Sequence, residues 1–470
     1  MMKTELLSPA GTLKSMHYAF AYGADAVYAG QPRYSLRVRN NDFLEDNLRT
    51  GIAQAHALGK RFFLTVNLMP HNAKLKTFLR DLQPIVDMGP DALIMADPGL
   101  IAMAREAWPD MPIHLSVQAN TVNWAAVRFW RSVGVERVIL SRELSLDEVA
   151  EIRQQCPDTE LEVFVHGALC IAYSGRCLLS GYFNHRDPNQ GTCTNACRWE
   201  YKTLPAQADA AGVYRPAGAG PGQEVTIPLA AFPGGAGRGL DEAGVSTLAS
   251  TLGEGPRHPL ADQVYFLEEA SRPGELMEVS EDEHGTYIMN SRDLRAVEHV
   301  QRLVEIGVDC LKIEGRTKSH YYVARTAQVY RRAIDDAQAG RAFDPRLLGE
   351  LENLASRGYT DGFYQRHHTQ DYQNYLEGAS RGEVQQFVGE VLGVDAQSGL
   401  AEVHVKNKMR VGDRLELILP GGNRDIVLES MFDRQGAPMD EAPGGGYRVQ
   451  LPWPAGVDPA YGLIARHLPG

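Results

Sequence analysis

The sequence predicts an α/β fold: a (β/α)8 TIM-like barrel with a long insertion between strands 7 and 8, plus a C-terminal all-β domain of the small-barrel type. Short apolar runs alternate with amphipathic segments at a spacing of roughly 20–35 residues, which is the length of a βα unit. Eight such runs occur, the number that closes a barrel. From about residue 384 onward, period-two strands and Gly-rich turns replace this pattern.

The eight apolar runs are the expected barrel strands. They are nearly continuous, as in a parallel sheet that is buried on both faces. No Gly-rich dinucleotide loop follows the first run, which disfavours the alternative of an open doubly wound sheet. In chain order, the runs lie at 5–11, 26–30, 62–67, 92–97, 114–120, 137–144, 161–167 and 310–316.

Three segments follow from this pattern. The barrel is expected to occupy residues 1–335, and within it the Gly/Ala/Pro-rich stretch 203–261 has too little apolar periodicity for a core. We expect that stretch to be a flexible surface insertion. Residues 336–383 are expected to form a helical linker and residues 384–470 the C-terminal β domain.

Composition and charge limit the classes of function. The chain has 470 residues and a formal net charge of −12, which argues against non-specific binding of nucleic acid or anionic lipid by the whole surface. No segment approaches the roughly 18 uninterrupted apolar residues of a membrane span, and the first residues lack a signal-peptide core. We therefore expect a cytoplasmic protein without membrane contact, in which thiols stay reduced.

Polar side chains stand where the predicted strands end, and these ends form the active face of a β/α barrel. Arg142, Lys312 and Arg316 are cationic there and suit an anionic ligand. His166 ends the seventh strand and is an acid–base candidate, although a buried structural histidine is an equal alternative. The candidate catalytic residues are His166, Glu143, Asn67 and Gln118.

Four of the six cysteines form the pattern Cys-x₆-Cys-x₁₅-Cys-x₃-Cys, at Cys170, Cys177, Cys193 and Cys197. Structural zinc sites use pairs of tight knuckles, and only the last pair here is tight. Iron–sulfur ligation tolerates scattered spacing. The pattern leaves iron–sulfur, zinc and metal-free thiols open.

Two segments are basic and aromatic, which suits contact with an RNA backbone and stacking on bases. Residues 311–334 carry six Lys or Arg against one Glu, and residues 33–41 carry three Arg without an acid. The alternative is that both are solvated faces whose tyrosines turn into the core. The candidate RNA contacts are Lys318, Arg325, Arg331, Arg332, Arg37 and Arg39.

A family resemblance rests on residues around the first cysteine pair. The segment resembles the signature of the U32 peptidase family at Glu162, Phe164, Gly167, Ala168, Leu169, Cys170, Gly175, Cys177, Leu179 and Ser180. The stretches LLSPAG, DAVYAG, MNSRDL and LKIEGR and the C-terminal β pattern are also similar to that family. The resemblance covers the chain except for 203–261.

The segments FVHGALCIAYSGRCLLSGY and RDPNQGTCTNACRWEY are most similar to tRNA-hydroxylating members of the family. The resemblance implies that the four cysteines ligate a 4Fe–4S cluster, delivered by the iron–sulfur assembly machinery. It implies O₂-independent hydroxylation of the wobble uridine 34 of tRNA to 5-hydroxyuridine, with prephenate as co-substrate. Cationic residues near the mouth would bind this dicarboxylate: Arg142, Arg176, Arg198, Lys312 and Arg316.

Three other functions remain open from the sequence. One is O₂-independent hydroxylation of a small aromatic such as a quinone precursor. Another is a collagenase-like peptidase, although the chain lacks both a His-Glu-x-x-His motif and a Gly-x-Ser-x-Gly elbow. The last is a non-catalytic RNA-binding protein with a structural zinc.

Overall fold

The chain folds around a closed barrel of eight parallel strands, as a computed structural model shows. The structure describes residues 3–31, 33–35, 42–168, 293–354, 358–365 and 385–468, and beyond them only the backbone of a few short strands. Strand β8 pairs with both β1 and β7, which closes the barrel and confirms the predicted fold class. The strands are β1 Glu5–Pro9, β2 Ala26–Gly30, β3 Arg61–Val66, β4 Ala92–Met95, β5 Ile113–Leu115, β6 Arg137–Ile139, β7 Glu160–Ala168 and β8 Cys310–Ile313.

Helices connect these strands and cap well where the sequence supplies a polar residue. Thr12 accepts from the Ser15 N–H ahead of the first helix, and Ser145 and Glu148 form a capping box at the seventh. None of the described helices combines the length and apolar character needed to cross a bilayer. The helices are α1 Leu13–Ala21, α2 Glu45–Ala57, α3 Asn72–Leu75, α4 Phe78–Val86, α5 Pro98–Ala107, α6 Trp124–Ser132, α7 Leu146–Gln155, α8 Val300–Ile306, α9 His320–Gln338 and α10 Arg346–Glu352.

Contacts divide the chain into two compact units. The first contains Met1–Gly175, Asp293–His367 and Arg381–Gly470, and the second contains Arg176–Arg292 and His368–Ser380. The described part of the second unit is an antiparallel sheet in the order Tyr214–Pro216, Tyr201–Ala208, Tyr265–Glu269, Leu276–Asp282 and Gly285–Ile288. The rest of the predicted insertion 203–261 lies outside the described residues.

The C-terminal segment of the first unit is all-β, as the sequence predicts. Six strands form an antiparallel sheet in the order β13-β12-β16-β9-β10-β15, and β11 pairs with β14. Its own core includes Val403, Leu417 and Trp453. The strands are β9 Gln385–Val394, β10 Leu400–Val405, β11 Met409–Arg410, β12 Arg414–Ile418, β13 Arg424–Val427, β14 Glu441–Ala442, β15 Arg448–Pro452 and β16 Leu463–His467.

This β domain packs on α1 and α9 of the barrel through buried polar contacts. Arg325 in α9 donates two hydrogen bonds to the Glu416 carboxylate, at 3.1 and 2.9 Å. The Tyr22 hydroxyl donates to the carbonyl oxygen of Ile418 at 2.8 Å. The Tyr321 and Phe387 rings stack with their centroids 4.5 Å apart. The interface therefore depends on directional bonds as well as on apolar burial.

The lower half of the barrel interior is filled by a network of ion pairs. Arg137 contacts Glu5 at 2.9 Å, Glu160 at 2.6 Å and Glu162 at 3.3 Å. Lys312 contacts Glu162 at 2.8 Å, and Arg61 pairs with Glu5. Three cations thus meet three carboxylates, and this balance offsets the cost of removing the charges from water.

Glu162 is the shared anion of this network and has no solvent exposure. Burial by itself opposes its ionisation, but Lys312 and Arg137 outweigh that effect and hold its pKa below the usual range. Cys310 lies beside the network, where burial raises the pKa of its thiol well above the ordinary value. Glu162 therefore stays ionised near neutral pH, and the Cys310 thiol beside it stays neutral.

We expect Glu162→Gln to lower the free energy of unfolding by about 3–5 kcal/mol, because Arg137 and Lys312 would lose a buried counter-charge. Urea unfolding followed by circular dichroism measures the loss. Glu160→Gln is the matched control, since the Glu160 side chain is 50% exposed and its loss should stay below about 1 kcal/mol. Equal losses in the two variants would show that burial of the network contributes nothing.

Candidate active site at the barrel mouth

The carboxyl ends of the strands gather polar groups from distant parts of the sequence. Asn67 follows β3, and its amide donates to the Ser116 hydroxyl after β5 at 3.2 Å. The same hydroxyl accepts from the Gln118 N–H at 3.4 Å. Ser116 is the N-cap of a short 3-10 turn, Val117–Ala119. Ser116 thus links the side chain of Asn67 to the backbone of Gln118, and both are predicted catalytic residues.

Arg142 links three parts of the mouth. Its guanidinium lies 3.9 Å from the centre of the Phe164 ring and pairs with Glu314 at 2.9 Å. It also donates to the carbonyl oxygen of Ala168, the last residue of β7, at 3.0 Å. Ala168 stands two positions before Cys170. Arg142 therefore holds the end of the strand that leads into the cysteine segment.

Glu143 and Lys312, two other predicted site residues, have partners inside the barrel. The Ser141 hydroxyl donates to the Glu143 carboxylate in a short hydrogen bond. Lys312 is 3% exposed, and its ammonium lies 4.4 Å from the centre of the Tyr28 ring while it pairs with Glu162. Lys312 thus contacts both the ion-pair network, through Glu162, and the Tyr28 ring at the mouth.

The Arg316 guanidinium lies over Gly30, at the end of β2. A side-chain carbon on Gly30 would lie 2.2 Å from Arg316 Nη1 and 2.6 Å from Ser35 Oγ. The Arg316 guanidinium also lies 5.9 Å from the centre of the Tyr28 ring. The sequence patterns missed Ser35, which stands in a loop and belongs to no periodic pattern.

His166 does not face the mouth, and its predicted acid–base role is corrected. The pairing of β7 with β8 shifts register so that Lys312 faces Phe164 and Ile313 faces His166. Such a bulge re-aims the following side chain. The His166 ring packs instead among Tyr322, Tyr330 and Tyr359, with centroids 5.5–5.7 Å away.

The environment of His166 keeps the imidazole neutral. The ring is 1% exposed, and the Tyr330 hydroxyl lies 3.3 Å from Nδ1. Burial, aided by the charges of Arg295 and Lys318, lowers its pKa to about 3. A general acid or base near neutral pH needs a pKa close to that pH. The structure therefore favours a structural role for the buried His166 over a role as general acid or base.

The predicted RNA contacts on α9 are largely buried. Arg325 is 1% exposed and holds Glu416, so it is not available to a phosphate, and that assignment is wrong. Arg331 pairs with Asp25 at 2.8 Å and keeps only 14% of its side chain exposed. Arg332 is 44% exposed and pairs with Glu350, and Lys318 is half-buried beside Tyr322.

The tyrosines of α9 explain this error. Tyr321, Tyr322 and Tyr330 are each under 10% exposed. The helix is buried on both sides by the barrel and by the β domain, so its Arg and Tyr residues serve packing rather than solvent contact. The side chains of the remaining predicted residues lie outside the described residues: Arg37, Arg39, Arg176, Arg198, Cys170, Cys177, Cys193 and Cys197.

Comparison with known proteins gives matches along both parts of the chain. The family model described as Peptidase family U32 matches residues 11–374, and the Peptidase family U32 C-terminal domain matches residues 383–466. The tRNA hydroxylation protein P of Escherichia coli is 60% identical over 470 residues, which is 100% of this chain and 98% of that protein.

Two further relatives show the range of sequence identity among the matches. The tRNA hydroxylation protein P of Haemophilus influenzae is 58% identical over 466 residues, covering 99% of this chain and 96% of that protein. A protein named collagenase from Porphyromonas gingivalis is 24% identical over 474 aligned positions, covering 97% of this chain and 96% of that protein. The higher identities accompany the hydroxylation proteins.

The neutral His166 predicts a pH effect on stability. Between about pH 6.5 and its folded-state pKa, the unfolded chain binds a proton at this position that the folded chain does not, so stability rises with pH across that window. We expect His166→Phe to remove a slope of up to about 1.4 kcal/mol per pH unit. Urea unfolding from pH 7 to pH 4.5 measures it.

The control for this prediction is His71→Phe, which changes an exposed ring and should keep the wild-type pH dependence. An unchanged slope in His166→Phe would mean that His166 gains its proton in the folded protein, contrary to its burial among the three tyrosines.

We expect Arg325→Met to destabilise the protein by about 3–5 kcal/mol, because Glu416 would keep a buried charge without its partner. Arg332→Met, which changes an exposed side chain on the same helix, should cost below about 1 kcal/mol. Thermal unfolding of both variants tests this difference.

Filter binding at 20 °C adds a second readout, since folded Arg325→Met should retain wild-type tRNA affinity. A loss of affinity in that variant alone would restore Arg325 as an RNA contact.

Proposed function

This chain belongs to peptidase family U32, and from that premise we propose that it is an enzyme that hydroxylates tRNA. The observation that carries the proposal is the 60% identity to the Escherichia coli tRNA hydroxylation protein P along the full length of both chains. In finer detail, we propose the wobble uridine 34 as the target, 5-hydroxyuridine as the product and prephenate as the co-substrate.

The charges at the mouth support binding of a small dicarboxylate. Arg316 is only 8% exposed, and a guanidinium in a dry site is the strongest protein partner for a carboxylate. Arg142 stands on a neighbouring part of the mouth, and its pairing with Glu314 assigns it to holding the end of β7. We propose Arg316 for co-substrate binding and Arg142 for positioning.

The proposed ligands of a 4Fe–4S cluster are Cys170, Cys177, Cys193 and Cys197, because four thiolates are the donor set that such clusters use. A bound cluster would supply electron transfer or a Lewis-acidic iron. Among the described residues, β7 alone bears on where the cluster would lie, because this strand ends two residues before Cys170. The described parts of the chain contribute to this site by fixing that end, through Arg142 and the tyrosines around His166.

A peptidase is the less favoured alternative. A cysteine nucleophile needs a base within hydrogen-bond reach, and His166 is the histidine nearest to Cys170 along the chain. Burial holds His166 neutral with a pKa of about 3, and its ring packs against α9. The geometry thus gives a cysteine peptidase no support from His166.

The test is complementation of a deletion strain with the full chain and with two cysteine variants. We expect the wild type to restore 5-hydroxyuridine-derived nucleosides in tRNA, and Cys193→Ser to abolish them, as measured by nucleoside mass spectrometry. Cys156→Ser is the control, because Cys156 is a buried thiol whose Sγ lies 3.5 Å from the Trp124 carbonyl oxygen. That variant should restore the nucleosides.

Iron content of the same proteins, purified without oxygen, separates the cluster from the reaction. We expect about four irons per chain in the wild type and Cys156→Ser, and a loss in Cys193→Ser. A colourless wild type with one zinc would contradict the cluster. Nucleosides that persist unchanged in the deletion strain would contradict the tRNA reaction.

A further inference from the structure

Gly30 lets two polar side chains, Arg316 and Ser35, come close to the end of β2 at the barrel mouth. A side-chain carbon at this position would overlap Arg316 Nη1 at 2.2 Å and Ser35 Oγ at 2.6 Å. Thr65 on β3 pairs in register with Gly30. Residues in register on neighbouring parallel strands point to the same face at a separation of about 4.8 Å, so Thr65 points to the face on which Arg316 lies over Gly30.

The hydroxyls of Ser35 and Thr65 have no hydrogen-bond partner among the residues that the structure describes, although both are buried. Ser35 is 6% exposed and Thr65 is 3% exposed. A buried hydroxyl without a partner costs roughly 1–3 kcal/mol, so such a group in a native structure calls for an explanation. Two of them beside one guanidinium indicate a place where a ligand supplies the missing acceptors.

The loop that carries Ser35 is held in place rather than loosely packed. The Gln31 side-chain oxygen accepts from the N–H groups of Arg33 at 2.6 Å and Tyr34 at 2.7 Å. The Gln31 carbonyl accepts from the Ser35 N–H at 2.9 Å. The Tyr34 hydroxyl donates to Asp81 at 2.9 Å. The position of the Ser35 hydroxyl is therefore preorganised, as a binding site requires.

We propose that Gly30, Ser35, Thr65 and Arg316 form a subsite, the Gly30 subsite, that binds one carboxylate of the small-molecule co-substrate. Arg316 supplies the positive charge, the two hydroxyls donate hydrogen bonds to the carboxylate oxygens, and Gly30 lets the guanidinium lie against the end of β2. This inference rests on the proposed function for the identity of the co-substrate, but the subsite is defined by its own residues.

Burial decides between a carboxylate and a nucleic-acid phosphate. A backbone phosphate is joined to the chain on two sides, so it needs an open groove. Ser35, Thr65 and Arg316 are each less than 9% exposed, so these three side chains do not line an open groove. A planar carboxylate at the end of a small molecule is attached on one side only and matches the edge of a guanidinium.

Gly30→Ala tests the subsite directly, because its methyl group would lie 2.2 Å from Arg316 Nη1 and displace the end of the flexible Arg316 side chain. Isothermal titration calorimetry of the full chain, with prephenate, malonate, benzoate and inorganic phosphate as probes, measures the effect. We expect the wild type to bind a carboxylate, and its Kd to rise at least about tenfold in Gly30→Ala and in the double variant Ser35→Ala/Thr65→Val.

Gly349→Ala is the matched control, since nothing lies within 4 Å of the carbon that it adds. It should bind as the wild type does, and the thermal unfolding midpoints of all variants show whether they fold. If the Gly30→Ala protein fails to fold, the double variant, which removes only two hydroxyls, carries the test.

The outcomes separate the subsite from the proposed function. Carboxylate binding that is unchanged in Gly30→Ala and in the double variant overturns the subsite and leaves the hydroxylase proposal standing. No binding of any carboxylate by the wild type, or binding of phosphate alone, also overturns the subsite. Weakened carboxylate binding in the variants, in a protein whose deletion leaves tRNA 5-hydroxyuridine unchanged, supports the subsite and overturns the hydroxylase proposal.

Discussion

The ion pairs of Arg137 inside the barrel are the constraint on which the mouth depends. Arg137, Glu5 and Glu162 are almost fully buried, and their charges have a low energy only while each remains beside its partner. Glu162 on β7 is shared with Lys312 on β8, so the network fixes the register between these two strands. Glu314 and Arg316 follow Lys312 closely along the chain, and their place at the mouth follows from that register.

Helix α9 contacts both the ends of β7 and β8 and the C-terminal β domain. Tyr322 and Tyr330 of α9 donate to the carbonyl oxygens of Glu314 and Val165, at 2.8 and 2.7 Å. Arg325, between them in sequence, holds the β domain through Glu416. Most of α9 is therefore buried, and its hydroxyl groups secure the ends of β7 and β8 from outside the barrel.

The mouth uses its polar groups in two different ways. Arg142 and Glu143 are occupied by partners within the protein and shape the site. Ser35 and Thr65 keep hydroxyls without a partner in the described part of the chain, next to a buried guanidinium. Groups that shape a site have their hydrogen bonds satisfied in the protein, whereas groups that recognise a ligand keep capacity for it.

Much of the architecture was readable from the sequence because it depends on local periodicity. Eight apolar runs at βα spacing predicted the barrel, and period-two strands after residue 384 predicted the β domain. The residues around Cys170 and Cys177 indicated the family through a contiguous motif, which needs no knowledge of distant contacts. The strand-end rule also placed Asn67, Gln118, Arg142 and Arg316 at the mouth, since it needs only the strand boundaries.

Only the tertiary structure decided which face each of these side chains presents and which partner it meets. A one-residue bulge turned His166 away from the mouth, and periodicity cannot reveal a bulge that depends on the neighbouring strand. The β domain covered α9 and changed Arg325 from a surface cation into a buried partner of Glu416. Ser35, Thr65 and Arg316 converge on Gly30 because the barrel closes, and closure joins positions that are hundreds of residues apart in the chain. Sequence determines local patterns through short-range sterics and burial, whereas a site is made by long-range contacts that only the folded chain establishes.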